Sequence, residues 1–223
     1  TLLKTAEISM QTSLKNSYAQ DLPELVKACT PLGFQKSEII LKNYELGDEL
    51  GFNKDFLDSD KCLNIFSGNL LLEDSMPIAQ AYSGHQFGHF NPNLGDGRAI
   101  LLGEIKDLDI QLKGIGQTPF SRRGDGKSAL SPVLREYIIS EFMHAAGIPT
   151  TRSLLALKTN ETVIRDTELP GGILARVANS HIRIGTFEFA AMQGTGILKK
   201  LADYSIRRHY PELEKTDERP LNF

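Results

Sequence analysis

A glycine turn, a lysine and a glutamate, spaced between Gly95 and Glu136, have the chemistry to hold a phosphate group. Gly95 and Gly97 flank Asp96 in the string L-G-D-G-R, between two extended runs. Glycine lets a backbone approach a phosphate closely, and turn amides can donate to its oxygens. A plain β-turn accounts for the same string. Lys113 lies within D-I-Q-L-K-G, where Ile110 and Leu112 alternate with Gln111 and Lys113, so the lysine shares a face with Gln111. Burying an ammonium without a partner is costly. A phosphate together with a carboxylate would compensate; at a sheet edge, water would do so instead. Glu136 follows on the next helix and can supply that carboxylate, although the helix dipole alone also favours an acid there.

Other strings carry weaker signals. Ser121–Ser128, S-R-R-G-D-G-K-S, nearly matches the phosphate loop G-x-x-x-x-G-K-[ST], but Ser121 stands where the first glycine is required. A true phosphate loop predicts a parallel sheet; the alternative is a flexible polar loop whose Asp125 and Gly126 touch a nucleotide. Arg176 and Arg183 bracket an extended run, and arginines clamp phosphate oxygens through a planar fork. Solvated surface arginines are the ordinary alternative. His85 and His89 sit four apart, yet Gln86 replaces the glutamate a zinc protease needs and no third ligand is near. They read as structural or turn histidines, and no metal site is expected in these residues. Cys29 and Cys62 lack CxxC spacing and read as reduced thiols. Asn160-Glu161-Thr162 reads as a turn.

The elements that must position these residues follow from periodicity. Residues 1–30 read as two helical pieces, with Asp21 capping a helix that starts near Pro23. Residues 33–51 read as extended, then helical, and Phe56–Phe66 as one short helix closed by Gly68. Pro77–Pro92 reads as a short helix or turn. Ala99–Glu104 and Asp109–Lys113 are strands joined around Lys106-Asp107. A helix over 132–146 takes Ser131 as N-cap and Gly147 as its stop, with an apolar face of Leu134, Ile138, Phe142 and Ala145; Glu136 lies off that stripe. Residues 154–158 and 162–166 form a hairpin around Thr159-Asn160-Glu161, and 173–178 is extended. Residues 179–190 read as a polar, glycine-containing stretch. Gly196–His209 is a helix with Ile197, Leu201 and Tyr204 inward, broken by Pro211. Helices, a β-meander with one inserted helix, a hairpin and a helix make an α+β order. A strand lysine followed by a helix glutamate, beyond a glycine turn, resembles the nucleotide wall of a kinase-type fold.

Composition narrows the function classes. With 223 residues the chain suffices for one large domain or two small ones, and 40% apolar residues permit a sizeable core. A net charge of -3, with both signs mixed, argues against nucleic-acid binding and against a polybasic membrane anchor. No run approaches a transmembrane length, and the first residues lack a signal-peptide core. The first residue is Thr1 rather than Met, and the last five, R-P-L-N-F, are an apolar stub, which suggests a fragment.

Taken together, the strings resemble one family, the selenoprotein O family, also called the YdiU family. They are A-Q-A-Y-S-G-H-Q-F-G, L-G-D-G-R-A, Q-L-K-G-I-G-Q-T-P-F-S-R, R-E-Y-I-I-S-E, G-I-P-T-T-R-S-L and A-R-V-A-N-S-H-I-R-I-G-T-F-E-F, across roughly residues 77–210. Residues 1–76 fit only loosely. The resemblance implies a protein-kinase-like N-lobe of antiparallel sheet plus helix, extra N-terminal helices, and a C-lobe mostly missing. It implies a wrapping segment over 1–76, a nucleotide-binding N-lobe over 77–170, and the start of a C-terminal lobe over 171–223. The implied activity is transfer of AMP from ATP, bound in a flipped orientation, to Ser, Thr or Tyr hydroxyls of proteins. Gly95, Gly97, Arg98, Asp125 and Gly126 would line the nucleotide. Lys113 would pair with Glu136 and contact phosphate, and Arg176 and Arg183 would bind the phosphate a kinase transfers. The family's general base, Mg2+ ligands and redox-regulatory C-terminal cysteine or selenocysteine would lie beyond Phe223, so this chain alone would be inactive. The implied partners are ATP and hydroxyl-bearing proteins, in the cytoplasm of a bacterium or the mitochondrion of a eukaryote. A kinase-like phosphotransferase and a catalytically dead ATP-binding module are the rival readings.

Overall fold

The computed structural model describes residues 4–6 and 14–214, and its amino-terminal third supplies edges and packing for one central sheet. Strand β1 (Lys4–Ala6) is followed by α1 (Ser17–Asp21), β2 (Val26–Ala28), β3 (Glu38–Lys42), α2 (Tyr44–Leu50), α3 (Lys54–Leu57), α4 (Asp60–Phe66) and β4 (Leu70–Leu72). β1 pairs in parallel with β4, apart from the main sheet. Within residues 1–30, the expected second helix is replaced by one 3-10 turn at Pro23–Leu25 and by β2. Pro23 fits the first turn, but Leu22 stands as its cap, without a side-chain bond. Asp21 instead ends α1 and pairs with Arg207. In the first expected helical piece, Lys4–Ala6 is strand β1, held by its pairing with β4; the remainder of that piece, residues 1–3 and 7–13, lies outside the described residues, as does the terminal stub. The single helix expected over Phe56–Phe66 is split in two, because the Ser59 hydroxyl accepts from Cys62 N at 3.2 Å and caps a fresh helix.

The remainder is strand-rich: β5 (Ile78–Gln80), β6 (Gly84–Gln86), β7 (His89–Asn91), β8 (Ala99–Ile105), β9 (Leu108–Lys113), β10 (Ser128–Ala129), α5 (Leu130–Ala145), β11 (Arg152–Ile164), β12 (Glu168–Ala178), α6 (Ile184–Gln193) and α7 (Thr195–His209). The expected helix or turn at Pro77–Pro92 is a strand and a hairpin. Phe87 and Gly88 both take positive φ, the geometry of a tight two-residue hairpin turn. The hairpin expected around Thr159–Glu161 closes farther on, at residues 165–167. Thr159–Glu161 is an irregularity inside the long strand β11, between the pairs Lys158↔Gly172 and Thr162↔Pro170. Helix α6 is masked by its glycine and polar start; Thr186 Oγ1 accepts from Arg183 N at 3.0 Å, and Thr186 N donates to Arg183 O at 2.9 Å.

Among the described residues, eight strands form the central sheet. Seven run in the order β2-β5-β8-β9-β12-β11-β3, β10 pairs with β12, and every pairing is antiparallel. This removes the parallel-sheet phosphate-loop reading and establishes the expected α+β class. Because strand side chains alternate, the sheet has two unlike faces. Ile100, Leu102, Ile110, Leu112, Ala175 and Val177 form one face, buried against α2 and α4. The other carries Leu101, under Tyr18, Leu201 and Tyr204, and Leu174, under Val133 of α5. Gln111 and Arg176, cross-strand partners, lie between these two apolar clusters.

Helix α5 corrects two expectations. It begins at Leu130 with Ala129 at the cap and no side-chain cap bond, so Ser131 is already helical. Its expected apolar face points outward, with Ile138 59% and Phe142 64% exposed, while Val133 and Ser140 face the sheet. The polar contacts decide the rotation. Glu141 accepts from Arg152 at 2.9–3.1 Å, from Ser153 N at 2.7 Å and from Asn43 at 2.7 Å. Glu136 and Glu141, about 140° apart around the helix, flank the buried line of Val133 and Ser140, so seating Glu141 on one flank leaves Glu136 on the other, where Lys113 and Arg176 meet it. Gly147, at φ 74°, ends the helix as expected.

Glu141→Ala is expected to destabilise the fold by about 3 kcal/mol, since Arg152, Ser153 N and Asn43 lose one acceptor together. Chemical denaturation measures this; a loss below about 1 kcal/mol would mean that Glu49, 3.9 Å from Arg152, takes over as its partner. Burial pushes the Glu141 carboxyl up, but its bonds from Arg152 and Ser153 outweigh that and hold it below its ordinary value of 4.5. Its contribution is therefore fully present above that value and is lost as pH falls through the lowered one.

Candidate functional site

The site lies on the polar strip between the two clusters. Lys113, at the end of β9, donates to Glu136 Oε2. Arg176, its neighbour on β12, reaches Glu136 Oε1 at 3.4 Å and donates to the side-chain oxygen of Gln111. The pair expected between Lys113 and Glu136 is thus a triplet of two cations on one carboxylate. The charge balance shows in the ionisation of each group. Burial pushes the Lys113 ammonium below its ordinary value and the Arg176 charge lowers it further, with Glu136 only partly offsetting them. Burial raises the Glu136 carboxyl, but Lys113 and Arg176 overcome this and hold it below the ordinary glutamate value.

The glycine turn stands beside this triplet. Gly95 has φ 58°, and a Cβ there would collide with the Phe120 ring; at Gly97 one would crowd the Phe120 carbonyl. The turn amides are not offered to a ligand. Leu94 N and Gly95 N donate to Tyr82 O at 3.0 Å, Asp96 N to Gln80 O at 2.9 Å, and Gly97 N to Gly95 O at 3.0 Å. Here the glycines provide room, and the donors are side chains. Asp96, only 3% exposed, turns inward. Its Oδ2 accepts from Gln111 Nε2 at 3.1 Å, and its Oδ1 lies 3.5 Å from Arg183 Nη2. Arg183 also stacks on the Tyr82 ring at 4.2 Å and donates to His181 O at 3.0 Å.

The loop between β9 and β10 forms the outer wall. Ser121 Oγ donates to Gly97 O and Thr118 Oγ1 to Asp96 O, both at 2.6 Å, tying the loop to the glycine turn. Gly126, at φ 68°, approaches the Gly116 carbonyl so closely that a Cβ has no space. Asp125 is paired with Arg165 at 2.8 and 3.0 Å and caps Lys127 N at 2.9 Å; the bonds from Arg165 hold its carboxyl below the usual range.

One cleft of about 390 Å³ collects these groups. Gly95, Gly97, Arg98, Lys113, Asp125, Gly126, Arg176 and Arg183 all line it, and Glu136 is held at its edge by Lys113. Seven of its nineteen lining residues are Lys or Arg and two are Asp, although the whole chain is net negative. Such a cleft attracts a compact polyanion. Sequence reasoning missed Asp96, Tyr82, Phe120 and Arg165; only the carboxylate between two glycines, odd in a phosphate turn, offered a signal. His85 and His89 lie on the exposed hairpin, and no group of three or more His, Cys, Asp or Glu side chains fit for a metal occurs among the described residues. Cys29 and Cys62 are free thiols. No helix among the described residues is long and apolar enough to cross a membrane.

Comparison with known proteins gives a consistent result. The family model described as protein adenylyltransferase SelO matches residues 9–223. The chain is 53% identical over 213 residues to the protein nucleotidyltransferase YdiU of Bacillus thuringiensis (strain Al Hakam), covering 93% of this chain and 43% of that protein. Proteins of the same name from Bacillus cereus and Bacillus anthracis are 52% identical over 214 residues, covering 93% of this chain and 42% of theirs. The chain thus spans less than half the length of these relatives.

The cleft is expected to bind pyrophosphate. At tenfold excess over its dissociation constant, pyrophosphate should stabilise the protein by about 1.4 kcal/mol, a rise of about 4 °C in Tm. Raising ionic strength, Lys113→Ala and Arg183→Ala should each shrink that rise. A rise that both substitutions leave intact would place the anion elsewhere.

Proposed function

The chain belongs to the SelO family of protein adenylyltransferases, and on that premise we propose that it carries the nucleotide wall of an enzyme moving AMP from ATP to Ser, Thr or Tyr hydroxyls of proteins. The observation that carries the reading is convergence. Residues from the glycine turn, β9, the β9–β10 loop, β12 and the segment before α6 meet in one cationic cleft, against a Lys113–Glu136 pair. In this proposal the N-lobe runs on through Ala178, because residue 170 falls inside β12. Residues 1–76 contribute β2 and β3 to the edges of its sheet.

In this reading the protein hydroxyl attacks the α-phosphorus, a new P–O bond forms, and the bond to the β-phosphate oxygen breaks, releasing pyrophosphate. Charge builds on that leaving group. Lys113, Arg176 and Arg183 would stand over the β and γ oxygens, where a preorganised donor is worth about 3 kcal/mol in rate. Gly95 and Gly97 leave room for the phosphates, and Arg98, Asp125 and Gly126 wall the nucleotide. The described residues lack a carboxylate cluster fit for Mg2+. In the proposal its ligands and the general base come from the part of the relatives that this chain does not span. A bound Mg2+ would supply charge neutralisation on the phosphates.

The full-length protein, given α-labelled ATP and a protein substrate, should transfer the label, and γ-labelled ATP should not. Lys113→Ala should reduce the transfer by about 10²–10³-fold. Label arriving from the γ position would establish a phosphotransferase instead; ATP binding with no label from either would establish a binding module. The chain of residues 1–223 alone is expected to transfer none.

A further inference from the structure

The glycine turn poses a chemical problem. A carboxylate between two glycines of a phosphate-facing turn would repel the ligand, yet Asp96 occupies that position. Its side chain resolves the conflict by turning away from the cleft into the protein, where both oxygens are engaged. Oδ1 faces Arg183 directly. Oδ2 accepts from Gln111, whose own oxygen accepts from Arg176. The two guanidiniums come from opposite ends of the β12–α6 connection, and this one buried carboxylate is common to both.

We propose that Asp96 is a positioning residue whose carboxylate, directly and through Gln111, aims Arg183 and Arg176 together at the β and γ phosphates. The proposal rests on the nucleotide reading above and deepens it. Arginine is a long side chain with several rotatable bonds, and binding with a disordered one costs rotamer entropy. A shared anchor removes that cost for two residues at once. Glu136 and Tyr82 restrain one guanidinium each, whereas Asp96 couples the pair. Burial raises the Asp96 carboxyl above its ordinary value, and the nearby Arg183, His181 and Arg176 only partly offset this.

The proposal fixes the sign of a substitution effect. Asp96→Asn removes a negative charge from a cationic cleft, so charge alone predicts tighter ATP binding. Positioning predicts weaker binding, confined to ligands with β and γ phosphates. Titration calorimetry of the full-length protein with ATP and with AMP separates the two. Asp96→Asn should weaken ATP binding about tenfold and leave AMP within about twofold. Gln111→Leu cuts only the branch to Arg176 and should give a smaller loss for ATP and none for AMP. The double variant should add little to Asp96→Asn, as expected for residues in one chain of contacts. Unchanged or tighter ATP binding in Asp96→Asn, or equal weakening of ATP and AMP, overturns the proposal. If Asp96→Asn does not fold, Gln111→Leu decides: loss for ATP alone supports the relay, and no loss overturns it. Wild-type protein that binds neither nucleotide would remove the nucleotide reading itself, and this inference with it.

Discussion

Two cations share one carboxylate in the middle of the sheet, and much of the architecture follows from that imbalance. Lys113 and Arg176 both lean on Glu136, so the carboxylate is doubly satisfied and the positive charge is in surplus. Burial makes the surplus costly, as the lowered Lys113 shows. Such a strip cannot be sealed beneath an apolar helix without stranding a charge. It has to face water or an anion, and the second face of the sheet is left open there.

The sheet achieves this by alternation. Ile110 and Leu112 point to the closed face, and Gln111 and Lys113, one residue out of phase, point to the open one. The register Arg176↔Gln111 places a guanidinium beside the glutamine and within reach of Glu136. The roof over the open face comes in two parts, because each part needs its own apolar footing. Val133 of α5 rests over Leu174, and Tyr18, Leu201 and Tyr204 rest over Leu101. The cleft occupies the interval between them. A one-residue slip in β9 would exchange the faces, putting Leu112 in the cleft and Lys113 in the core.

What was legible in the sequence follows the range of the forces involved. Alternation of Ile110 and Leu112 with Gln111 and Lys113 is a local signal, and it placed β9 and the face of Lys113 correctly, while the short apolar run from Ala99 placed β8. Helix α7 was equally legible, since Leu201 and Tyr204 repeat at helical spacing and are buried. The apolar face of α5 misled for the opposite reason. Its orientation is set by Glu141 bonding to Arg152 and Ser153 on another strand, a contact distant in sequence. The hairpin at Gly84–Asn91 was hidden because its histidines and amides have no strong strand preference; its turn is set by two positive φ values that composition does not reveal. In the site, the residues expected from their charge were easier to find than those that hold them. Asp96, Tyr82 and Arg165 act on other side chains, and apart from the place of Asp96 between two glycines nothing local distinguishes them.

That last distinction bears on how the cleft works. A phosphate site built from backbone amides is aimed by the fold itself, since amides cannot swing. Here the amides of Gly95, Asp96 and Gly97 are spent on internal carbonyls, and the donors are long, flexible cations. Each of four has a fixed partner: Lys113 on Glu136, Arg176 on Glu136 and Gln111, Arg183 on Asp96 and Tyr82, Arg165 on Asp125. The acidic residues in and behind a cationic cleft therefore do not oppose its function. They weaken its long-range pull somewhat and in return order the groups that meet the ligand, which matters more at contact distance. It follows that, in the proposed anion site, the carboxylates of this cleft count as much as its cations.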